Sequence, residues 1–479
     1  MNNRPLRIAL TGAVHPNMPG DDEGLYERIS RELAALQTEL GFELQVLPDV
    51  LRNAGDADQA ASRLKEGQPD FILFFCASLP YGRTILPFAE LGIPLGIWSV
   101  PEPVSSGVLQ LNSFCGLNML GSILQNYFTD RTVLYKWFYG YPEDPRFRER
   151  LELTVRALRG VHALKTCRIG QIGELADGFE NLYVDERVLY GRFGTSVGYR
   201  HSVEDIVRRA ESYTEAQAGE TLGEILAESG QVRLGVSSRD MDKFARINRA
   251  LEEFARENRY DSLAVSCWSK FQEVYDVAVC GAMSRLNSLG IAAPCEADIS
   301  SAVTMILLNA LNGDRASLND MVALDEADNS LNLWHCGVAP GCWADGCGVA
   351  WDNHFNIGHY EGREWKGRGV VADMHFRPGD VTLAAMDTDF RNLLVITGRI
   401  MEDKPGYAGS SGWVNELKVG GREVTIPDLI QTISIGRVNH HYPSALGHLE
   451  GELREFAFWT GMEILEAVPC TPYMQSFRK

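Results

Sequence analysis

Several signatures that would place a chain quickly are missing from this one. No G-x-G-x-x-G or Walker-type glycine loop follows any of its apolar strand patterns, so a nucleotide cofactor has no support. No G-x-S-x-G elbow is present, and Gly409-Ser-Ser-Gly412 lacks that spacing, which argues against a serine hydrolase. Long hydrophobic runs are absent too. Stretches such as Phe71 to Leu79 are far too short to span a bilayer, and MNNRPLRIALTGAV at the start has no apolar leader pattern with a cleavage site. Positive charge is scarce: 45 Lys and Arg stand against 64 Asp and Glu, a formal net charge of −19. That balance excludes a general nucleic-acid binder, which needs a basic face, but leaves room for a local basic pocket. The 10 cysteines form no paired framework and suit a reducing cytoplasm better than a disulfide scaffold. His335-Cys336 with Cys342 and Cys347 is too irregular for a structural zinc site.

What is present is a large globular composition. At 479 residues the chain is too long for one ordinary core, and 45% hydrophobic with 23% charged residues is ordinary for a folded protein. From Leu6 to about Pro103 apolar strand patterns alternate with helical ones, which predicts a parallel sheet covered on both faces. Ligand crevices in such sheets lie beyond the carboxyl ends of the strands, here the loops Cys76 to Arg83 and Pro101 to Pro103. Thr166 to Gly173 opens a second unit of this kind, continued by strand patterns at Ser262 to Cys267 and Ile291 to Glu296. After Gly337 short β-type runs and turn signals take over. The expected fold is α/β: two consecutive Rossmann-like parallel-sheet domains, residues 1–165 and 166–340, followed by a β-rich, barrel-like C-terminal domain, residues 341–479.

Chemistry concentrates in Pro294 to Gly337 and in a histidine cluster at Arg437 to His448. Glu296, Asp320, His335, His440 and His441 together form a mixed oxygen and nitrogen donor set that suits Mn²⁺, and to a lesser extent Co²⁺, Fe²⁺ or Mg²⁺. Asp298 stands where a helix N-cap belongs. Adjacent histidines in an extended segment point to opposite sides, so one of His440 and His441 would ligate while the other meets substrate or a carboxylate. Of the tryptophans Trp268, Trp343, Trp351 and Trp413, the last, in its Gly-Ser setting, is the best exposed candidate for stacking on a sugar. Arg83, after a strand end, is placed to hold an anionic group by a bidentate pair, or is simply paired to a neighbouring acid.

Cys295-Glu-Ala-Asp-Ile-Ser-Ser-Ala-Val-Thr-Met305, the apolar helix pattern after it and Leu318-Asn-Asp320 resemble the metal-ligand segment of the L-fucose isomerase family, to which the L-arabinose isomerases are distantly related. Asn439-His440-His441 with Gly447-His448 resembles the C-terminal signature of that family, as does the order of the three domains. The resemblance implies an Mn²⁺-dependent aldose–ketose isomerase, a homo-oligomer, often hexameric, whose sites are completed by a neighbouring subunit; the cysteine usage adds the expectation of a cytoplasmic protein. Glu296 and Asp320 match the acids that ligate the metal and shuttle protons, and His440/His441 the C-terminal ligand. His335 sits nearer to an extra ligand of the arabinose-type enzymes, which leaves the coordination number open. Members of the family act on deoxy sugars and some on the sulfonated sugar sulfoquinovose. The competing expectations are a metal-dependent sugar aldolase or epimerase, and a sugar-binding protein without catalysis.

Overall fold

The computed structural model of the protein describes residues 4–18, 24–175, 178–198, 200–228, 231–232 and 236–474. It divides into two compact units, Asn3–His162 and Ala163–Lys479. In the first unit β1 (Leu6–Ala13), β2 (Phe42–Val46), β3 (Phe71–Cys76), β4 (Leu95–Ser99) and β5 (Tyr135–Tyr139) form a parallel sheet in the order β2-β1-β3-β4-β5. Strand β3 reads FILFFC and every residue of it is buried, as a strand covered by helices on both faces requires.

The second unit contains two sheets. The smaller is parallel, in the order β7-β6-β8, from β6 (Arg168–Ile172), β7 (Ser196–Val197) and β8 (Ser262–Val265). The stretch Ile291 to Glu296, expected as a further strand, makes only an isolated bridge at Ala292. It still lies along β8: Leu263 N donates to Ala292 O (2.9 Å) and Val265 N to Pro294 O (3.1 Å). Pro294 has no N–H to continue a ladder, which explains why the strand is not regular.

The larger sheet is mixed and holds 11 described strands. Six segments of it are joined in one antiparallel circuit: β9 (Asp320–Asp325), β10 (Ser330–His335), β11 (Gly379–Met386), β12 (Asn392–Ile400), β13 (Ser410–Val419) and β14 (Ser444–Leu446). The ladder runs β9-β10-β13-β12-β11-β14. It then closes on itself, because Ser317 bridges Ser444 and Asp320 bridges His441. Ser317 and Ser444 exchange both backbone bonds (2.9 and 2.8 Å), and Tyr442 N donates to Asn319 O (2.7 Å). The hairpin β9-β10 therefore belongs to the barrel, and Asp320 opens a barrel strand instead of lying at the carboxyl end of a parallel one.

Between the two sheets runs the helix Ile299–Asn312, which contacts β6 and β8 on one side and β11 and β14 on the other. Its sequence, ISSAVTMILLNALN, is apolar nearly all round because it has core on every side. Among the described residues, no helix is long and apolar enough to cross a membrane.

The closing seam has a polar lock. Buried Asn319 donates from Nδ2 to Ser444 Oγ (3.1 Å) and accepts at Oδ1 from Ser317 Oγ (3.3 Å). Asn319→Ala leaves two buried hydroxyls short of a partner, and should lower the unfolding free energy by about 1–3 kcal/mol, read from urea midpoints.

Candidate active site

Three segments of the second unit converge at the seam. The first is a turn closed by Asp298 N donating to Cys295 O (3.1 Å). Its central residues, Glu296 and Ala297, have φ of 61° and 57°. Two left-handed residues in succession ordinarily call for Asn-Gly, and each costs on the order of 1–3 kcal/mol in a residue with a Cβ. Ala297 N donates to Val265 O (3.0 Å), which pins the turn to the end of β8 and sets Glu296 at its tip. The second segment is the seam pair of Asp320 and His441. The third is the end of β10, where His335 lies 2% exposed.

His441 is the hub. Its Nδ1 is 2.8 Å from Asp298 Oδ2, and its Nε2 is 3.5 Å from Glu296 Oε2 and 3.8 Å from Asp320 Oδ1. Asp298 is fully buried; it caps the helix by accepting from Ser301 N (2.9 Å) and Ser301 Oγ (2.5 Å). Burial pushes its carboxyl up, but the His441 and Ser301 hydrogen bonds outweigh that and hold it below the ordinary carboxylate range. An ionised Asp298 keeps the His441 proton on Nδ1, so the Nε2 lone pair faces Glu296 and Asp320.

The neighbouring imidazoles are disposed differently. His440 Nε2 lies 3.3 Å from Glu296 Oε2, and its Nδ1 is 3.2 Å from Asn181 Nδ2. A carboxylate only accepts, so His440 Nε2 carries a proton toward Glu296. His335 Nδ1 accepts from Cys336 N (2.9 Å), which in the neutral ring puts its proton on Nε2. Glu296, His440 and His441 form one group of donors, and Asp320, His335 and His441 another, each within 4.8 Å. Asp320 Oδ1, His335 Nε2 and His441 Nε2 are buried and have no hydrogen-bond partner among the described residues. Of these, Asp320 Oδ1 and His441 Nε2 are acceptors and could hold a divalent cation, whereas His335 Nε2 presents an N–H.

Arg83 belongs to the first unit, exposed in the short turn Gly82–Ile85, and makes no ion pair among the described residues. Trp413 is not the exposed platform its Gly-Ser setting implied. It is 8% exposed, its Nε1 donates to Pro405 O (2.9 Å), and the Lys404 ammonium lies 3.8 Å over its ring. Strand β13 draws it against the 401–405 segment, which the local sequence does not reveal. His448 meets Asp380 at the surface (3.6 Å). The expectation of unpaired cysteines also needs correcting at one place: Cys267 and Cys295 form a disulfide, their Cα atoms 6.0 Å apart, next to the Glu296 turn. Two contributors escaped the sequence reading: the second role of Asp298, and the segment with Phe179 and Asn181, whose Phe179 ring is 5.7 Å from that of His440. An Asp three residues before Ser301 signalled the cap, but nothing local signalled the histidine.

Comparison with known proteins agrees in kind with this site. No family model matches the chain. It is 27% identical over 404 residues to a sulfoquinovose isomerase of Alkalicoccus urumqiensis, covering 83% of this chain and 86% of that one. Sulfoquinovose isomerases of Priestia megaterium (26% over 353 residues; 73% and 76% covered) and of a Clostridium species (27% over 328 residues; 66% and 69% covered) are similar as well. Over those lengths the chain is similar to sugar isomerases. Among solved structures, a transporter solute-binding protein from Agrobacterium vitis bound with α-D-tagatopyranose covers 61% of this chain and 92% of its own, at 11% identity and a TM-score of 0.16, too slight a likeness to argue from.

Asp298→Ala removes both the cap and the acceptor of a buried imidazole N–H, and should cost about 2–4 kcal/mol of unfolding free energy. Asn caps as well as Asp and can still accept, so Asp298→Asn should cost about 1 kcal/mol or less in the same urea titration.

Proposed function

We propose that the protein is an aldose–ketose isomerase acting on open-chain sulfoquinovose, with a divalent cation, Mn²⁺ by preference, held by Glu296, Asp320 and His441. The carrying observation is the convergence of bare Asp320 Oδ1 and His441 Nε2 with Glu296 Oε2, on a histidine whose other nitrogen is fixed by Asp298. The substrate is the one in the names of the relatives, which match 66–83% of the chain. A bound cation supplies polarisation of the sugar carbonyl and keeps a nearby carboxylate ionised.

The remaining work falls to side chains. One of Glu296 and Asp320 takes the proton from C2 and returns it at C1, through a cis-enediol, and the other moves the hydroxyl protons. His440, donating to Glu296, orients that carboxylate. His335 presents Nε2–H and serves as a donor to a substrate oxygen or to Asp320 instead of as a ligand. Both nitrogens of His441 are committed, so it does not bind sugar.

The assembly we propose is a homo-oligomer, hexameric in the family's manner, with sites completed by a neighbour. The 3–162 unit supports this with an exposed apolar group at the carboxyl side of its sheet, Val104, Val108, Leu109 and Phe114, of which Val108 is 82% exposed. Eight of the cysteines are unpaired, in keeping with a cytoplasmic setting.

Glu296→Gln and Asp320→Asn should each abolish ketose formation from sulfoquinovose while circular dichroism stays native; turnover retained by both would overturn the assignment. Chelation should silence the wild type, and Mn²⁺ restore it. Calorimetric titration of the chelated protein separates the histidines. His441→Gln should lose cation affinity by about 100-fold or more, whereas His335→Gln should keep it within a few-fold and lose turnover.

A further inference from the structure

In the second unit lies a cleft of about 600 Å³ that the chemistry above does not use. It opens where α/β sheets bind ligands, beyond the carboxyl ends of β6, β7 and β8. Gly173 and Glu174 follow β6, Arg200 and His201 follow β7, and Ser266, Trp268, Ser269 and Lys270 follow β8. The β8 side joins it to the catalytic turn. Val265, the last residue of β8, accepts from Ala297 N, and Cys267 in the next loop is bonded to Cys295, the residue before Glu296.

Three features of the lining point to one kind of ligand. Trp268 is 45% exposed, an aromatic face open to solvent in a cleft, and rings of this kind take the apolar face of a hexose. Arg200 donates no hydrogen bond among the described residues; its carboxylate neighbours Glu174 and Glu186 both stand at 4.0 Å, outside hydrogen-bond reach. Lys270 faces Glu204 at 3.1 Å, with both side chains about half exposed, and pairs of that sort contribute little and exchange readily. In a chain of net charge −19 an anionic substrate needs cations at its site, and here Arg200 and Lys270 stand beside Glu174 and Glu204, acids that neither holds firmly. A guanidinium meets an oxyanion group with two parallel N–H bonds, and an ammonium adds a third.

We propose that Arg200 and Lys270 form the subsite for the sulfonate end of the sugar, with Trp268 under the carbon chain between that end and the cation. The assignment deepens the isomerase reading and rests on it. It makes the cleft the element that tells a sulfonated hexose from an uncharged one, while Glu296 and Asp320 treat both alike.

The test uses the full-length, Mn²⁺-loaded protein and two sugars, sulfoquinovose and D-glucose, with ketose formation and calorimetric binding measured in parallel. Arg200→Gln and Lys270→Gln should each lower the ratio of kcat/KM for the sulfonated over the uncharged sugar about tenfold or more, through KM, and weaken sulfoquinovose binding to match. Lys270→Arg, which keeps the charge, should recover most of the ratio. An unchanged ratio in both Gln variants, or equal losses on both sugars, overturns the subsite and leaves the isomerase reading standing. Sulfoquinovose binding that depends on Arg200 and Lys270 without any ketose formation by the wild type overturns the isomerase reading and keeps the subsite. A wild type that neither binds nor converts sulfoquinovose overturns both.

Discussion

The hydrogen bond from His441 to Asp298 ties the second unit together. Asp298 belongs to the central helix, as its N-cap, and His441 belongs to the strand that closes the barrel. The 2.8 Å contact between them is wholly buried, so one bond fixes helix to barrel and fixes which imidazole nitrogen is bare. The partial positive charge at the helix start favours the ionised carboxylate, and that carboxylate in turn holds the ring. Register enforces the rest. Slipping the seam by one residue would turn His441 to the other face of the sheet, away from Asp298.

The same bond decides the electrostatics of the site. Glu296 and Asp320 both lie within 4 Å of His441 Nε2, while the proton of that ring is drawn to Nδ1. A neutral imidazole donates from one nitrogen and an imidazolium from two, so three acids around it outnumber the donors available. His440 relieves Glu296, and His335 stands near Asp320 without reaching hydrogen-bond geometry. Burial pushes His441 down, yet the hydrogen bond and charge of Asp298, with Asp320 and Glu296 behind it, hold it above the ordinary imidazole range. A proton on Nε2 and a cation there compete for the same lone pair, so cation uptake at this site releases a proton.

Much of this was legible locally and some of it was not. The alternation of apolar runs and helices announced the parallel sheet of the first unit, because buried strands such as Phe71–Cys76 must be apolar throughout. Asp298 was readable as a cap from its place before an apolar helix. Glu296, Asp320 and the 440–441 pair were readable through a family resemblance, and the structure gathers all four. Long-range pairing is what the sequence conceals. Nothing near Asp320 says that its hairpin leaves the parallel-sheet region for the barrel, since that depends on bridges to Ser444 and His441. Trp413 failed for the same reason: its flanking Gly and Ser describe the strand, whereas its burial comes from Pro405 and Lys404. Trp268, which its sequence setting did not single out, owes its exposure to the cleft and not to its own neighbours.

Glu296 is the one residue that both halves of the site share. Its left-handed turn is pinned to β8, the strand whose loop lines the cleft of Arg200 and Lys270, and its carboxylate is aimed at the barrel histidines. A backbone strained at two successive residues is hard to justify by packing, since Ala297 fills little space and Glu296 is a poor residue for a left-handed turn. It is intelligible if the turn must serve two constraints together: a fixed anchor on the parallel sheet, and a carboxylate at a set distance from a nitrogen on another sheet. An isomerase that holds a sugar by one end and moves protons at the other needs that distance kept constant. On the proposed subsite and proton transfer, the strain at Glu296 and Ala297 is the local cost of coupling the end that would recognise the substrate to the end that would react.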